Sequence, residues 1–242
     1  MKLALSIAFR FLSSSKAQTL LIILGIAIGV SVQVFIGSLI QGLQKDLVNT
    51  TIGNSSQVTI TSNTPDRKIE NWQEIQEKVE SLQLPTPLTA LSASADVPVF
   101  ISSGDRTISV LLRGLQFPQA NSIYGIDTRI IEGELPKTAD EVLIGKDLKD
   151  ELGLQKGGQI TVITPDRSIE TLKIAGVFDL KVASLNKSWL ISSIATSQSV
   201  GKLGDSVTSI EMQVEEVFKA DEDATAIASA LADTKLDVTN WK

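Results

Sequence analysis

Residues 17–44 read AQTLLIILGIAIGVSVQVFIGSLIQGLQ, 28 consecutive positions without a charged side chain, bounded by Lys16 and Lys45. A helix rises about 1.5 Å per residue, so about 20 apolar residues suffice to cross the hydrocarbon layer of a bilayer. From Leu20 to Ile40, fourteen residues are Leu, Ile, Val or Phe. Together they favour insertion by about 4–8 kcal/mol, against small penalties from Ser31, Gln33 and Ser38. The run predicts a transmembrane helix over residues 17–44. A cleaved signal peptide has an apolar core of only about 7–15 residues. A buried helix of a soluble protein would show a polar face at 3.6-residue spacing, and this run shows none.

Charge sets the expected orientation. Residues 1–16 carry Lys2, Arg10 and Lys16 and no acid, which predicts a cytoplasmic amino terminus. This leader, MKLALSIAFRFLSSSK, also groups apolar residues near one side and suits a short amphipathic interfacial helix. The other basic residues are outnumbered by the chain's 28 acids, all of which follow the leader, and this acidic part is expected outside the cell membrane.

Composition removes whole classes of chemistry. The chain has no cysteine and no histidine, so Ser-His-Asp, Cys-His and most zinc sites are excluded. Roughly 195 residues remain beyond the span, enough for one or two domains with real cores and no need of disulfides. The acidic balance and the lack of a basic stripe argue against nucleic acid. No GxxxxGK[ST] loop is present, so ATP is not bound that way. The densest acidic group, Asp221-Glu222-Asp223, lacks the alternating ligands and glycine turn of a calcium loop and reads as the first turn of a helix. Ser184 with Lys187 and Ser13 with Lys16 read as loop residues, not nucleophile–base pairs. The sequence therefore predicts a non-catalytic protein without cofactor or metal.

Beyond the span, Gln57–Thr61 alternates and predicts a strand. A turn at 63–68 leads into a helix over 71–82, with Trp72, Ile75, Val79 and Leu82 on one face and Asn71 and Glu74 as a cap pair. Residues 88–207 read as strand-rich: 97–102 and 107–113 about a Ser103-Gly104-Asp105 turn, then 129–131, 141–144, 159–163, 171–178, 189–194 and 207–214. A helix over 147–152 ends at Gly153. The tail predicts a helix near 223–231 and a terminal strand at 236–241. The order β-α, many β, then β-α-β predicts an α/β unit interrupted by a β-rich insertion, with early and late segments paired in space. Thr64-Pro65-Asp66-Arg67-Lys68-Ile69-Glu70 recurs as Thr164-Pro165-Asp166-Arg167-Ser168-Ile169-Glu170, with six of seven positions identical. Pro-Asp-Arg is good turn chemistry, and the echo reads as two similar exposed turns, not a duplication.

Taken in order, these segments resemble the amino-terminal part of an ABC-transporter permease of the FtsX/MacB/lipoprotein-release type. Ile7-Ala8-Phe9-Arg10-Phe11-Leu12 is similar to the family's motif before its first span, Gly25–Val30 to the glycine-bearing middle of that span, and Gln41–Leu47 to its exit. Leu112-Arg113-Gly114-Leu115 is similar to a "V-x-G-V" strand end, and Ile131-Glu132-Gly133 to a glycine-acid turn. Glu141–Gly145 with Leu152–Ile160 resembles "E-V-x-I-G…L-G-x-x-x-G-D-x-I", although Gly158-Gln159 lacks the family's Asp. Leu172–Phe178 matches the strand that follows.

The resemblance implies an α+β fold. One transmembrane helix precedes an extracytoplasmic domain whose porter-like α/β lobe (55–87 and 207–242) is split by a β-rich, sabre-like insertion (88–206). It implies three further spans and a cytoplasmic coupling loop after Lys242. Implied partners are a cytoplasmic ABC ATPase subunit, a second permease copy or paralogue forming a dimer, a periplasmic adaptor and membrane lipid. The hairpin at 164–170 is too short for the hook by which lipoprotein-release permeases recruit a soluble carrier. Function is expected to be coupling of ATP hydrolysis on the partner to extracytoplasmic movement or release of a lipid, lipoprotein, peptide or drug, from the inner membrane. Gly25 and Gly29 form a small-xxx-small pair suited to close packing against another span. The alternative is a single-span anchored binding or scaffold protein without ATP coupling.

Overall fold

The computed structural model describes residues 10, 14, 16–51, 55–103 and 106–242. The chain divides into two compact units, Met1–Thr51 and Ile52–Lys242.

The first unit is the helix α1 (Lys16–Thr51). Its 36 residues correspond to about 54 Å of helix, against about 30 Å of hydrocarbon. The most apolar 18-residue stretch within Lys16–Leu43 has a mean hydropathy of 2.5, and the large apolar side chains from Leu20 to Leu43 are all at least 49% exposed. So much bare hydrocarbon on one rod is incompatible with water and fits a bilayer as solvent.

The second unit is built on one ten-stranded sheet. Its strands are β1 (Val58–Ser62), β2 (Leu88–Ser103), β3 (Arg106–Leu115), β4 (Ile130–Gly133), β5 (Glu141–Gly145), β6 (Gln159–Ile163), β7 (Ile169–Phe178), β8 (Trp189–Ser193), β9 (Ser209–Val214) and β10 (Leu236–Asn240). Its helices are α2 (Trp72–Glu80), α3 (Phe117–Tyr124), α4 (Ile126–Arg129), α5 (Lys146–Leu152), α6 (Ala183–Ser188), α7 (Ile194–Gly201) and α8 (Ala220–Leu231). The strand order is β10-β1-β9-β2-β3-β8-β5-β7-β4, with β6 paired to both β2 and β7. As expected from the element order, the early strand β1 lies between the late strands β9 and β10.

Three apolar clusters hold the sheet. Val58, Ile60, Ile210 and Met212 meet Trp72 and Val79 of α2 and Ile227 of α8 in one. Val97, Val99, Val162, Ile174 and Leu190 form a second. Leu115, Ile123, Tyr124 and Phe178 form a third. Strand β9 is buried on both faces, so Ile210, Met212 and Val214 join a core while Ser209, Glu211 and Gln213 make a buried polar row.

Four sequence expectations need correction. Strand β2 starts at Leu88, not residue 97, and its residues 90–94, small except for Leu91, form most of the pairing with β9. The stretch between β3 and β9 holds α3, α4, α6 and α7, which the strand-rich reading omitted. Asn71 does not cap α2 with its side chain, because it adopts a left-handed conformation (φ 50°) and only its carbonyl is used, by Ile75 N at 3.3 Å. Ser184 and Lys187 lie in α6, not in a loop; Ser13 lies outside the described residues.

The acids at 221–223 do occupy the first turn of α8. Asp223 has a further role: fully buried, it accepts from Thr86 N at 3.0 Å and Thr86 Oγ1 at 2.5 Å. It thereby pins the segment that ends Leu84-Pro85-Thr86-Pro87 to the late helix, with the double bonding a buried carboxylate requires.

Candidate functional site

Strand β2 runs through the whole sheet but is not paired continuously on one side. It pairs β9 from Leu88 to Ser94 and β6 at Phe100 and Ile101, so among the described residues 95–99 have β3 on one edge and no strand on the other. Two local features suit this gap. Asp96 N donates to the Thr208 hydroxyl at 2.8 Å, and Pro98, whose nitrogen falls on the same edge by alternation, has no N–H to satisfy.

A cleft of about 1190 Å³ opens at the gap. Thr59 and Thr61 of β1, Ser209 and Glu211 of β9, Asp96 of β2 and Arg113 of β3 line it. Both copies of the Thr-Pro-Asp-Arg echo also line it, through Thr64–Arg67 and Thr164–Asp166. The two turns have the same geometry. In each, the Thr hydroxyl donates to the Asp carboxylate, the Arg nitrogen bonds back to the Thr carbonyl (3.0 and 2.9 Å), and the Arg is left-handed (φ 52° and 66°). Lys202, which ends α7 in a left-handed conformation, bonds to both. Its ammonium donates to Asp166 Oδ2 at 2.5 Å and Ser168 Oγ at 2.8 Å, and its carbonyl accepts from Lys68 Nζ at 3.2 Å.

The floor is a buried ionic cluster. Arg113, 6% exposed, donates to Glu211 Oε1, and Tyr124 donates to Glu211 Oε2 at 2.6 Å. The guanidinium carbon lies over two rings, 5.1 Å from the Tyr124 centroid and 4.5 Å from that of Trp189, and the rings meet each other edge to face. Asp96 stands 3.5 Å from Arg113 Nε. Those two atoms, Asp96 Oδ1 and Arg113 Nε, are the buried side-chain polar atoms without a hydrogen-bond partner among the described residues. Burial pushes the Asp96 carboxyl up to about 6, with Arg113 opposing and Glu211 adding to the rise. Burial works against the Arg113 charge too, yet Glu211, Tyr124 and Asp96 together hold it above its ordinary range, so it stays protonated. Burial also lifts Tyr124 well above the usual phenol, which keeps it a donor to Glu211.

Backbone packing makes room for this arrangement at Gly114. A Cβ there would fall 2.6 Å from Ser197 Cβ, so only glycine lets α7 close against β3 beside Arg113.

The residues singled out from the sequence lie elsewhere. Gly25 and Gly29 sit in α1 with open space around both, Lys16 begins that helix, and Arg10 is helical and exposed. Lys2 lies outside the described residues. The sequence reading named Arg113 only as part of a strand end and missed Asp96, Tyr124 and Glu211. A signal for α3, which carries Tyr124, was present: Pro118 in the first turn and Gly125 just past the end.

Comparison with known proteins completes the picture. The model of the MacB-like periplasmic core domain matches residues 19–233. The lipoprotein-releasing system transmembrane protein LolC of Xylella fastidiosa, strain Temecula1, is 21% identical over 257 residues, covering 99% of this chain and 60% of its own length. LolC of strain 9a5c matches to the same extent. The chain thus spans about three-fifths of the curated relatives it matches. The periplasmic region of MacB from Actinobacillus actinomycetemcomitans superposes with a TM-score of 0.50 at 14% identity, covering 78% of this chain and 92% of that one. The extracellular domain of the noncanonic ABC-type transporter YknZ from Gram-positive bacteria gives 0.50 at 12% identity, covering 77% and 100%. An apolar helix leading into a mixed sheet of this topology, matched from residue 19 to residue 233, places the chain in the family of the MacB-like periplasmic core domain.

Proposed function

We propose that this chain is the amino-terminal half of a permease subunit that couples ATP hydrolysis by a separate cytoplasmic ATPase to movement or release of a lipid, lipoprotein, peptide or drug outside the inner membrane. The observation that carries the reading is the join itself: one membrane-length apolar helix running into a domain of the MacB-like family. The basic residues Arg10 and Lys16 ahead of the apolar run favour a cytoplasmic amino terminus and an extracytoplasmic domain. In this reading residues 55–87 and 207–242 act as a porter-like lobe, residues 88–206 as a sabre-like lobe, and Gly25 and Gly29 as the close-packing face toward a neighbouring span. The full subunit carries three further spans, works as a dimer of copies or paralogues, and meets an adaptor outside.

Absence of cysteine makes the topology directly testable. A single Glu77→Cys substitution on the exposed side of α2 is expected to react with a membrane-impermeant maleimide in intact spheroplasts. Purification of the full-length protein from its native membrane is expected to bring an ABC ATPase with it. Labelling only after permeabilisation would overturn the orientation. Purification without any ATPase would favour the single-span binding protein.

A further inference from the structure

We propose that the second unit is hinged at the gap in β2. A lobe of β1, β9, β10, α2 and α8 swings as one body against a closed barrel, widening and narrowing the cleft, and Lys68 ties its mouth. The inference goes beyond the transport reading and does not rest on it.

Strand pairing defines the two bodies. β2 pairs β3, β3 pairs β8, β8 pairs β5, β5 pairs β7, β7 pairs β6, and β6 returns to β2, which closes a ring. Its interior is one apolar cluster, in which Val97, Val99 and Ile101 of β2 join Ile144, Ile174 and Leu190. The lobe hangs on the earlier part of β2, where Leu91 and Ala93 belong to a different cluster with Ile210 and Met212. One face of β2 thus serves one core up to residue 93 and another from residue 97. Ser94, Ala95 and Asp96, between them, belong to neither. Close-packed cores move as rigid bodies, so bending concentrates in the segment that joins them.

The seam between the bodies is polar. Ser94 Oγ meets Ser209 Oγ at 2.8 Å, Asp96 N donates to Thr208 Oγ1 at 2.8 Å, and Arg113 donates to Glu211. Hydrogen bonds beside an open cleft exchange for water at small net cost, whereas parting an apolar core does not.

Helix α7 runs along the joint. Ile194 at its start packs against the lobe's core, whereas Val200 near its end belongs to the barrel's core and lines the cleft. A Cβ on Gly201 would fall 2.5 Å from Val97 Cγ2, so the end of α7 is fitted to β2 and moves with the barrel. This places the pivot at the start of α7 and the opening at its end. The chain then returns to the lobe through Lys202 and Gly204, both left-handed (φ 51° and 67°), and the Asp205 carbonyl accepts from Trp72 Nε1 at 3.0 Å. Asp166 and Ser168 hold the Lys202 side chain on the barrel, while its carbonyl accepts from Lys68 Nζ of the lobe at 3.2 Å. Lys68 is thus a side chain that joins the lobe to the barrel across the mouth.

Amide hydrogen exchange of the whole chain in detergent micelles, read residue by residue, reports the opening. Opening frees the Asp96 amide, whereas the amides of Val97 and Val99 face β3 by alternation and stay bonded. Lys68→Met is expected to speed exchange at Asp96 about two- to fivefold and to leave Val97 and Val99 unchanged. Lys78→Met, which removes the same charge from α2, is expected to change none of the three. Pro65 on the lobe's wall and Pro165 on the barrel's are both exposed, and the chain has no cysteine of its own. In the Pro65→Cys, Pro165→Cys protein, a bismaleimide tether between the two turns is expected to slow exchange at Asp96 several-fold. Local fraying of one bond would not feel that tether. No acceleration in Lys68→Met, equal acceleration at all three amides, an equal effect of Lys78→Met, or no slowing in the tethered protein would each overturn the hinge.

Discussion

The turns at 64–68 and 164–168 share four residues, a hydrogen-bond pattern and a left-handed arginine, yet the protein uses them differently. After the first turn, Ile69 enters the core (1% exposed) and bridges Val207 through both backbone bonds, at 2.8 and 3.1 Å. After the second, Ile169 begins β7 opposite Ile163 and stands 68% exposed. Asp166 is tied to Lys202, whereas Asp66, among the described residues, bonds within its own turn, to Thr64 and neighbouring backbone. Local sequence fixed the shape of the turn, and the surroundings fixed its role.

The largest expected effect lies in the floor that both turns overhang. Arg113→Leu leaves Glu211 buried without its cation and should destabilise the second unit by about 3–5 kcal/mol. Adding Glu211→Leu should recover much of the loss, read by urea unfolding with tryptophan fluorescence. A loss below about 1 kcal/mol would show that the cluster is not energetically coupled.

Next in size is the contrast between the isoleucines. Ile69→Ala should cost about 2–4 kcal/mol by opening a core cavity, and Ile169→Ala under about 0.5 kcal/mol. Equal losses would break the distinction between the turns.

Asp96 and Asp66 should then respond to pH with opposite sign. The folded-state carboxyl of Asp96, at about 6, lies above its unfolded value near 3.8, so its contribution is fully present below pH 3.8 and lost as pH rises through 6. Asp96→Asn should therefore be more stable than the parent at pH 8 by about 3 kcal/mol, with the advantage fading by pH 4. Asp66 is held below its ordinary value, first by the Thr64 hydroxyl, so its smaller contribution is present above the unfolded value and lost in acid. Parallel pH profiles for Asp96→Asn and Asp66→Asn would contradict this.

The smallest effect should be the same at both turns. Arg67→Gly and Arg167→Gly relieve a left-handed conformation while adding freedom to the unfolded chain, for a net gain of about 0.5 kcal/mol at each. A clear difference between the two would mean that the surroundings strain one turn and not the other.

Much of the fold was legible where a pattern was long or strongly periodic. The 28-residue apolar run, the hairpins β2–β3 and β6–β7, and α2 with Trp72 and Val79 inward stand as the sequence indicates. The short helices α6 and α7 escaped because they are rich in Ser, Thr and Asn and lack a continuous apolar face. Their stability comes from packing and from local bonds such as Ser193 Oγ accepting from Thr196 N at 3.2 Å, not from propensity. The site was illegible for a different reason. Arg113 and Glu211 are 98 positions apart, and nothing near either marks the other.

By itself the sequence determined the membrane helix, the strand-and-turn vocabulary and the absence of histidine and cysteine chemistry, because each depends on neighbouring residues or on composition alone. Only the tertiary structure decided that two copies of one turn face a single cleft and that four distant side chains form its charged floor. Bringing strands β1, β2, β3 and β9 side by side sets which groups lose water and which charges meet, and that is a property of long-range pairing.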